Sequence, residues 1–329
     1  RTTTQSSGLP PWFRDRAQLK RLAKVLSREV RSDDLPSVAA EATYHSLFAI
    51  PAMLLVFAAL AALVNLVTDF PISAHLRTII FRSAPGEART LLASMVEDAV
   101  TRVGARGASF GIVSASVIAL WSGSNGVLTL VKAFNRAYDV EETRPRLGMR
   151  LRTIGLTLLG IVMITTAFTL FVFGHDLGMW LLDRLDLNSR FWIMWQLGRW
   201  LLSAVLIIFF LAVLYYVGPN VAQSFRWISP GSIAAALTWF LALLAIKLYL
   251  LVADPGLTYG AFSGVILLMS LLYLTALAFV FGAEINAVLE RRYDPATVRD
   301  LANHPEKLDR PEDVVEAEQH AAAYRQREG

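Results

Sequence analysis

The chain has 329 residues, 55% of them apolar and only 18% charged, where a soluble domain carries about 25% charge. Its charges are segregated: only 11 fall between Thr153 and Glu290, and the other 47 lie outside that segment. A soluble globule needs charge along every element, and a disordered chain could not carry this much apolar surface, so both classes are excluded. With no cysteine in the sequence, a disulfide framework, an iron–sulfur cluster and a thiolate zinc site are excluded too.

Residues 1–37 read as an N-terminal arm. Pro11 to Arg31 places Leu19, Leu22, Ala23, Leu26 and Val30 on one helical face, among seven bases and two acids. Such a helix suits an anionic membrane surface, or docks on the protein's own cytoplasmic side. Nucleic acid is not an expected partner, because no aromatic residues interleave with the bases as a stacking platform requires.

A bilayer core of about 30 Å needs ~20 apolar residues in helical form. Six stretches meet this, within residues 38–292: about 42–67, 107–131, 153–175, 197–217, 232–253 and 261–286. Backbone groups in hydrocarbon must satisfy one another, and the alternation of a membrane barrel is absent, so the spans are helices. Pro51 is expected to bend the first. Between the first two spans, residues 71–104 repeat apolar residues at helical spacing around Pro85-Gly86, predicting an external helical hairpin.

The second span carries Gly107, Gly111, Ala115, Ala119 and Gly123 four apart, a stripe suited to close helix packing within one subunit or between copies of a homo-oligomer. It then enters Trp121 to Gly126, where Gly123 and Gly126 are expected to loosen the helix while Ser122, Ser124 and Asn125 offer hydrogen bonds beside a pathway. The fifth span is interrupted only by Lys247, which shares a face with Asp254. Gly256, Gly260 and Gly264 repeat the small-residue device before the sixth, whose far end carries Glu284 and Asn286. The paired acids Asp33-Asp34 and Glu141-Glu142 are expected at interfaces, solvated. The tail, 293–329, has abundant charge and little apolar bulk, and reads as a solvated helix or disorder.

Basic residues set the orientation. Twenty-two lie in the arm, the 132–152 loop, the fourth loop and the tail, against seven on the other side, placing both termini in the cytoplasm. The first apolar run starts only after Ser37 and is too long for a cleavable signal, so the first span is expected to direct its own insertion. Catalysis finds no footing. Five histidines are scattered without metal spacing, no phosphate-binding glycine motif occurs, and the Gly107–Gly111 match to GxSxG opens a helix instead of following a strand. No catalytic, metal-ligating or cofactor-binding residue is assigned, and no cofactor is expected.

The runs from Leu120 to Arg146, Leu214 to Asn220, Ser229 to Gly231 and Thr258 to Glu290 resemble the YihY/YhjD/BrkB family of bacterial inner-membrane proteins. The resemblance covers about Ser37 to Arg292. It implies an all-α, polytopic protein of six transmembrane helices with both termini inside, in the bacterial cytoplasmic membrane. It also brings labels: envelope integrity protein, serum-resistance virulence factor, and ribonuclease BN. The last conflicts with the chemistry, since metal-assisted phosphodiester hydrolysis needs a cluster of histidines and carboxylates that this sequence lacks. The YhjD branch, linked to export of a lipid A precursor, implies lipid handling. Motif residues carried over are Trp121, Gly126, Asn135, Arg136 and Tyr138; Tyr216, Gly218, Pro219 and Asn220; Tyr259, Gly260, Gly264, Glu284 and Asn286. The chain departs from the family pattern in Glu41 and His45, either side of Tyr44.

On this reading Arg136 and the bases from Arg144 to Arg152, with Tyr138, Tyr215 and Tyr216 at the same level, face anionic inner-leaflet lipids, or serve as ordinary positive-inside anchors. The expected function is non-enzymatic movement or organisation of lipid or another amphiphile. The alternative is a structural scaffold of the envelope. The candidate pathway or headgroup residues are Ser122, Ser124, Asn125, Arg136, Tyr138, Tyr216, Asn220, Lys247, Glu284 and Asn286.

Overall fold

The computed structural model describes residues 16–47, 110–185, 189–253, 255, 259–308 and 311–328. Nine α-helices are found among them: α1 (Arg16–Ser32), α2 (Leu35–Leu47), α3 (Phe110–Ala137), α4 (Arg146–Leu185), α5 (Ser189–Val217), α6 (Pro230–Val252), α7 (Ser263–Tyr293), α8 (Pro295–Asn303) and α9 (Pro311–Glu328). Short 3-10 turns precede α7 and follow α8, and the described residues hold no β-strand beyond a single bridge between Val140 and Leu308. The fold is all-α.

Among the described residues four helical stretches are long and apolar enough to cross a bilayer: Arg146–Ala167, Phe191–Val217, Pro230–Val252 and Ser263–Tyr293. They coincide with the third to sixth expected spans. The first lies outside the described residues beyond Leu47, as do Pro51, the 71–104 hairpin and Asp254. The second is helical from Phe110 onward.

The outward faces identify the solvent. On α6 only Gly231, Ser232 and Ala235 are buried, while Ile233, Leu237, Phe240, Leu241, Leu244 and Leu248 are exposed. At ~1.5–3 kcal/mol for each fully buried large apolar side chain, keeping these in water would forgo on the order of 10 kcal/mol, as much as the whole stability of a typical domain. Lipid removes that cost.

The chain divides into two compact units. One comprises Arg1–Ala40, Leu130–Arg144 and Tyr215–Gly329; the other comprises Glu41–Thr129 and Pro145–Leu214. In the first, α6 packs along α7, and α1 also lies against α7. The α6–α7 seam is set by glycines. A Cβ on Gly231 would overlap the Gly282 carbonyl and the Asn286 side chain, and one on Gly282 would overlap Tyr215 and Ala235. The Ser-Pro-Gly sequence starts α6: Ser229 is the N-cap and accepts from Ser232 N–H, Pro230 needs no partner for an N–H, and Gly231 admits α7. Asn286 completes the joint, accepting from Gly231 N–H at 2.8 Å and donating to Ser229 Oγ at 2.9 Å.

In the second unit α3 runs unbroken through Trp121–Gly126, which corrects the expectation of a loosened helix. Ser124 Oγ donates to the Trp121 carbonyl at 2.8 Å, satisfying itself within the helix. Gly126 serves approach: a Cβ there would lie 2.6 Å from Ser46 Oγ of α2. The remaining stripe positions Gly111, Ala115 and Ala119 lie on this helix, and Gly107 lies outside the described residues.

The tail is helical and partly buried. Asp294 ends α7 and caps α8, accepting from Thr297 N–H and Oγ1. Val298 and Leu301 of α8 and Ala317 and Ala321 of α9 are buried, Leu301 and Ala317 in a core shared with Ala137, Tyr138, Val140 and Ala287.

Gly231→Ala and Gly282→Ala are each expected to lower stability in detergent by ~1–3 kcal/mol through overpacking of the seam. Gly264→Ala, with nothing within 4 Å of its added Cβ, should change it by no more than ~1 kcal/mol. Thermal unfolding of the three variants separates the seam from the small-residue pattern.

Candidate functional site

In the first unit the polar residues gather where α3 ends beside the last turns of α7. Helix α3 closes with a Schellman motif: Val140 N–H bonds to the Asn135 carbonyl and Asp139 N–H to that of Arg136, with Asp139 in the left-handed region at φ +52. That position favours glycine, yet aspartate stands there because its carboxylate pairs with Arg291 of α7, which also lies 3.9 Å from Glu29 of α1. One residue earlier, Tyr138 is 1% exposed and its hydroxyl donates to Glu290 at 2.5 Å. Burial, reinforced by the Glu290 charge, holds the Tyr138 phenol well above its ordinary range.

A second strand of this network latches two loops. Asn135 Oδ1 accepts from Asn220 N–H at 2.8 Å, and Asn220 Nδ2 donates to the Glu141 carbonyl and to Thr143 Oγ1. Asn135 also donates to Glu142, which is bound by the Arg144 guanidinium. Burial works to raise Glu142, but hydrogen bonds from Arg144 and Asn135 outweigh it, and the carboxyl sits below its usual range.

Glu284 of α7 is wholly buried. It is 0% exposed, and no N–H or O–H of the described residues reaches either carboxyl oxygen. Within hydrogen-bonding reach lies the carboxyl of Asp33, 4% exposed at the end of α1. Burial pushes Asp33 above the usual carboxylate range, as does the Asp139 charge, and burial likewise raises Glu29. The expectation that Asp33-Asp34 is solvated therefore fails for Asp33, while Asp34 is exposed, at φ +47 in the turn before α2. A polar cavity of about 220 Å³ opens nearby, lined by Arg28, Glu29, Arg291, Arg292, Glu316 and His320.

The second unit holds a different constellation. Arg150 of α4 lays its guanidinium 3.9 Å over the Trp121 ring, donates to Asn125 Oδ1 at 2.7 Å and donates to the Trp121 carbonyl at 2.6 Å. No carboxylate among the described residues forms an ion pair with it, and its Nε is buried without a partner. Trp121 is 55% exposed.

The sequence-predicted residues thus separate. Asn220 and Asn286 are buried joints, Tyr138 and Glu284 are buried in the network, and Ser124 is satisfied within α3. Tyr138 and Tyr215, expected at headgroup level, are buried instead, Tyr215 donating to the Phe279 carbonyl at 2.9 Å. Tyr216 is exposed and meets Phe225 edge to face beside exposed Trp227. Arg136 is exposed, with Nη1 directed to the Asp33 carbonyl at 3.3 Å. Lys247 is exposed on α6, and the side chain of Ser122 lies outside the described residues. Arg150 is legible in the sequence only as one of several bases, and Asp33, Asp139 and Arg291 give no local signal.

Apolar helices with lipid-facing sides, joined through buried polar contacts, define an all-α membrane protein. A family model described as "Virulence factor BrkB" matches residues 26–307, and the chain belongs to that family. Among its relatives, a Bacillus subtilis (strain 168) protein whose name calls it ribonuclease-like, YfkH, is 32% identical over 257 residues, covering 78% of this chain and 90% of that one. A UPF0761 membrane protein of Verminephrobacter eiseniae (strain EF01-2) is 28% identical over 283 residues, 82% of this chain and 62% of the relative. No solved structure matches. Among the described residues no three histidine or carboxylate side chains converge as metal ligands.

Asp139→Ala is expected to cost about 3 kcal/mol, because Arg291, 15% exposed, loses its nearest charge partner. Asp139→Gly removes the same charge but suits the positive φ, and should recover about 1 kcal/mol of that loss. Denaturant titration in detergent reads both, and wild-type stability in Asp139→Ala would remove the ion pair from the joint.

Proposed function

We propose that the protein is a non-enzymatic envelope protein of the bacterial cytoplasmic membrane that moves or organises lipid or another amphiphile. In this reading it has six spans and both termini in the cytoplasm. The observation that carries it is Arg150, a cation in the first turns of a membrane-spanning helix, stacked on an exposed tryptophan and held by neutral acceptors. A guanidinium so placed keeps a full charge for an anionic headgroup, and its planar fork matches a phosphate. Tyr216, Phe225, Arg226 and Trp227 supply a second exposed aromatic and basic rim of the kind found at membrane interfaces. The excess of bases in the arm, the 132–152 loop and the tail supports the orientation.

The second reading, a scaffold without transport, is favoured by Gly126, Gly231 and Gly282, all of which serve tight packing. Liposomes with fluorescent anionic lipids decide between them. Reconstituted protein should move label faster than empty vesicles, and Arg150→Gln should cut the rate about tenfold, the loss of one charge-assisted contact. Arg150→Lys, which keeps charge without the stack and fork, should fall between. No movement above empty vesicles across several lipids would leave the scaffold.

A further inference from the structure

Two carboxyls face each other in the first unit, and no cation among the described residues is placed to neutralise both. Glu284 is wholly buried, and its oxygens meet no donor among the described residues. The group it meets, Asp33, is itself an acceptor unless it carries a proton. Ser32 lies at the edge of the pair, 3.4 Å from Asp33 Oδ1. The charged groups facing it come from three helices: Glu29 from α1, Arg136 and Asp139 from the end of α3, and Arg291 from α7. The cations are committed elsewhere, Arg291 to Asp139 and Glu29, and Arg136 to the Asp33 backbone carbonyl. Two adjacent carboxylates cannot both ionise in a dry site, whereas a carboxyl donating to a carboxylate satisfies both.

We propose that Asp33 and Glu284 form a site for one exchangeable proton, shared between the two carboxyls, which fastens the end of α1 to α7 and releases it when the proton leaves. The two groups titrate as a pair. The polar cavity lined by Arg28, Glu29, Arg291, Arg292, Glu316 and His320 touches the Glu29–Arg291 contact and offers water a way to it. The sign follows from the burial of Asp33: a carboxyl favoured in its protonated form by folding contributes its stability at acid pH, and that contribution is lost as pH rises through the folded-state value. Docking of α1 therefore weakens toward alkaline pH. The inference stands apart from lipid movement, since it concerns only the fastening of α1.

Full-length protein in lipid nanodiscs is measured in two ways. Infrared difference spectra between about pH 5 and about pH 9 should show the carbonyl stretch of a protonated buried carboxyl disappearing, a band missing from Glu284→Gln. Hydrogen exchange through residues 29–38, corrected for intrinsic rates, should rise about tenfold over the same range in the wild type, one decade per unit of linked pH. In Glu284→Gln the amide donates to Asp33 whatever the pH, so exchange should stay low and flat. His320→Gln should retain the wild-type rise, which separates the pair from the cavity histidine. A wild type with no protonated-carboxyl band overturns the proposal, as does a pH response unchanged in Glu284→Gln. Dependence on sodium at fixed pH overturns it too, because the pair would then hold a cation.

Discussion

Hydrocarbon offers no hydrogen bonds, and that single constraint decides where every polar group of this chain can stand. Along α6 it leaves Leu, Ile and Phe on the outside; the backbones of α6 and α7 touch in the first turns of α6, where glycine and a capping serine allow it, and further along Trp239 Nε1 donates to Thr275 Oγ1. Contact between helices in lipid comes from such close approach, since lipid tails offer leucine as good an environment as another helix does. A polar residue is tolerated where a partner waits, as Asn286 is by Gly231 and Ser229.

The same constraint makes the buried network of the first unit a joint as much as a site. Asn135, Asn220, Tyr138 and Asn286 each spend their polar atoms on another segment of the protein, tying the end of α3 to the loop after α5 and α7 to the start of α6. Charge enters under stricter terms. Asp139 accepts a left-handed backbone to reach Arg291, and Glu290 lies under the Tyr138 hydroxyl. Against that background Glu284 and Arg150 stand out: among the described residues, the oxygens of the first find only another acid, and the charge of the second finds no acid.

The spans are legible in the sequence because an uncharged stretch long enough to cross a bilayer is a local property, and α4 to α7 fall where charge runs out. Their ends are less so: α7 continues past residue 286 to Tyr293, where Glu290 and Arg291 meet Tyr138 and Asp139, far away in the chain. Gly126 shows a limit of a different kind. Glycine loosens a helix or admits a neighbour, and only the position of Ser46 decides between them. Asp33 reads as solvated because its sequence neighbours are polar, whereas the Glu284 it meets belongs to α7, near the other end of the chain. The tail misleads similarly, since Val298, Leu301, Ala317 and Ala321 are buried although Val315 is exposed. Arg150 sits in a run of bases, and nothing local marks it as the one over Trp121.

The central claim, that lipid is the solvent of these helices, is open to direct measurement because the chain has no cysteine of its own. Spin labels on cysteines placed singly at Leu237, Phe240, Leu241, Leu244 and Leu248, in protein reconstituted into bilayers, report collision with oxygen and with a water-soluble nickel complex. All five positions should favour oxygen over nickel, as lipid-exposed sites do. Nickel access at those positions, equal to that of a label on the exposed tail residue Glu318, would contradict it.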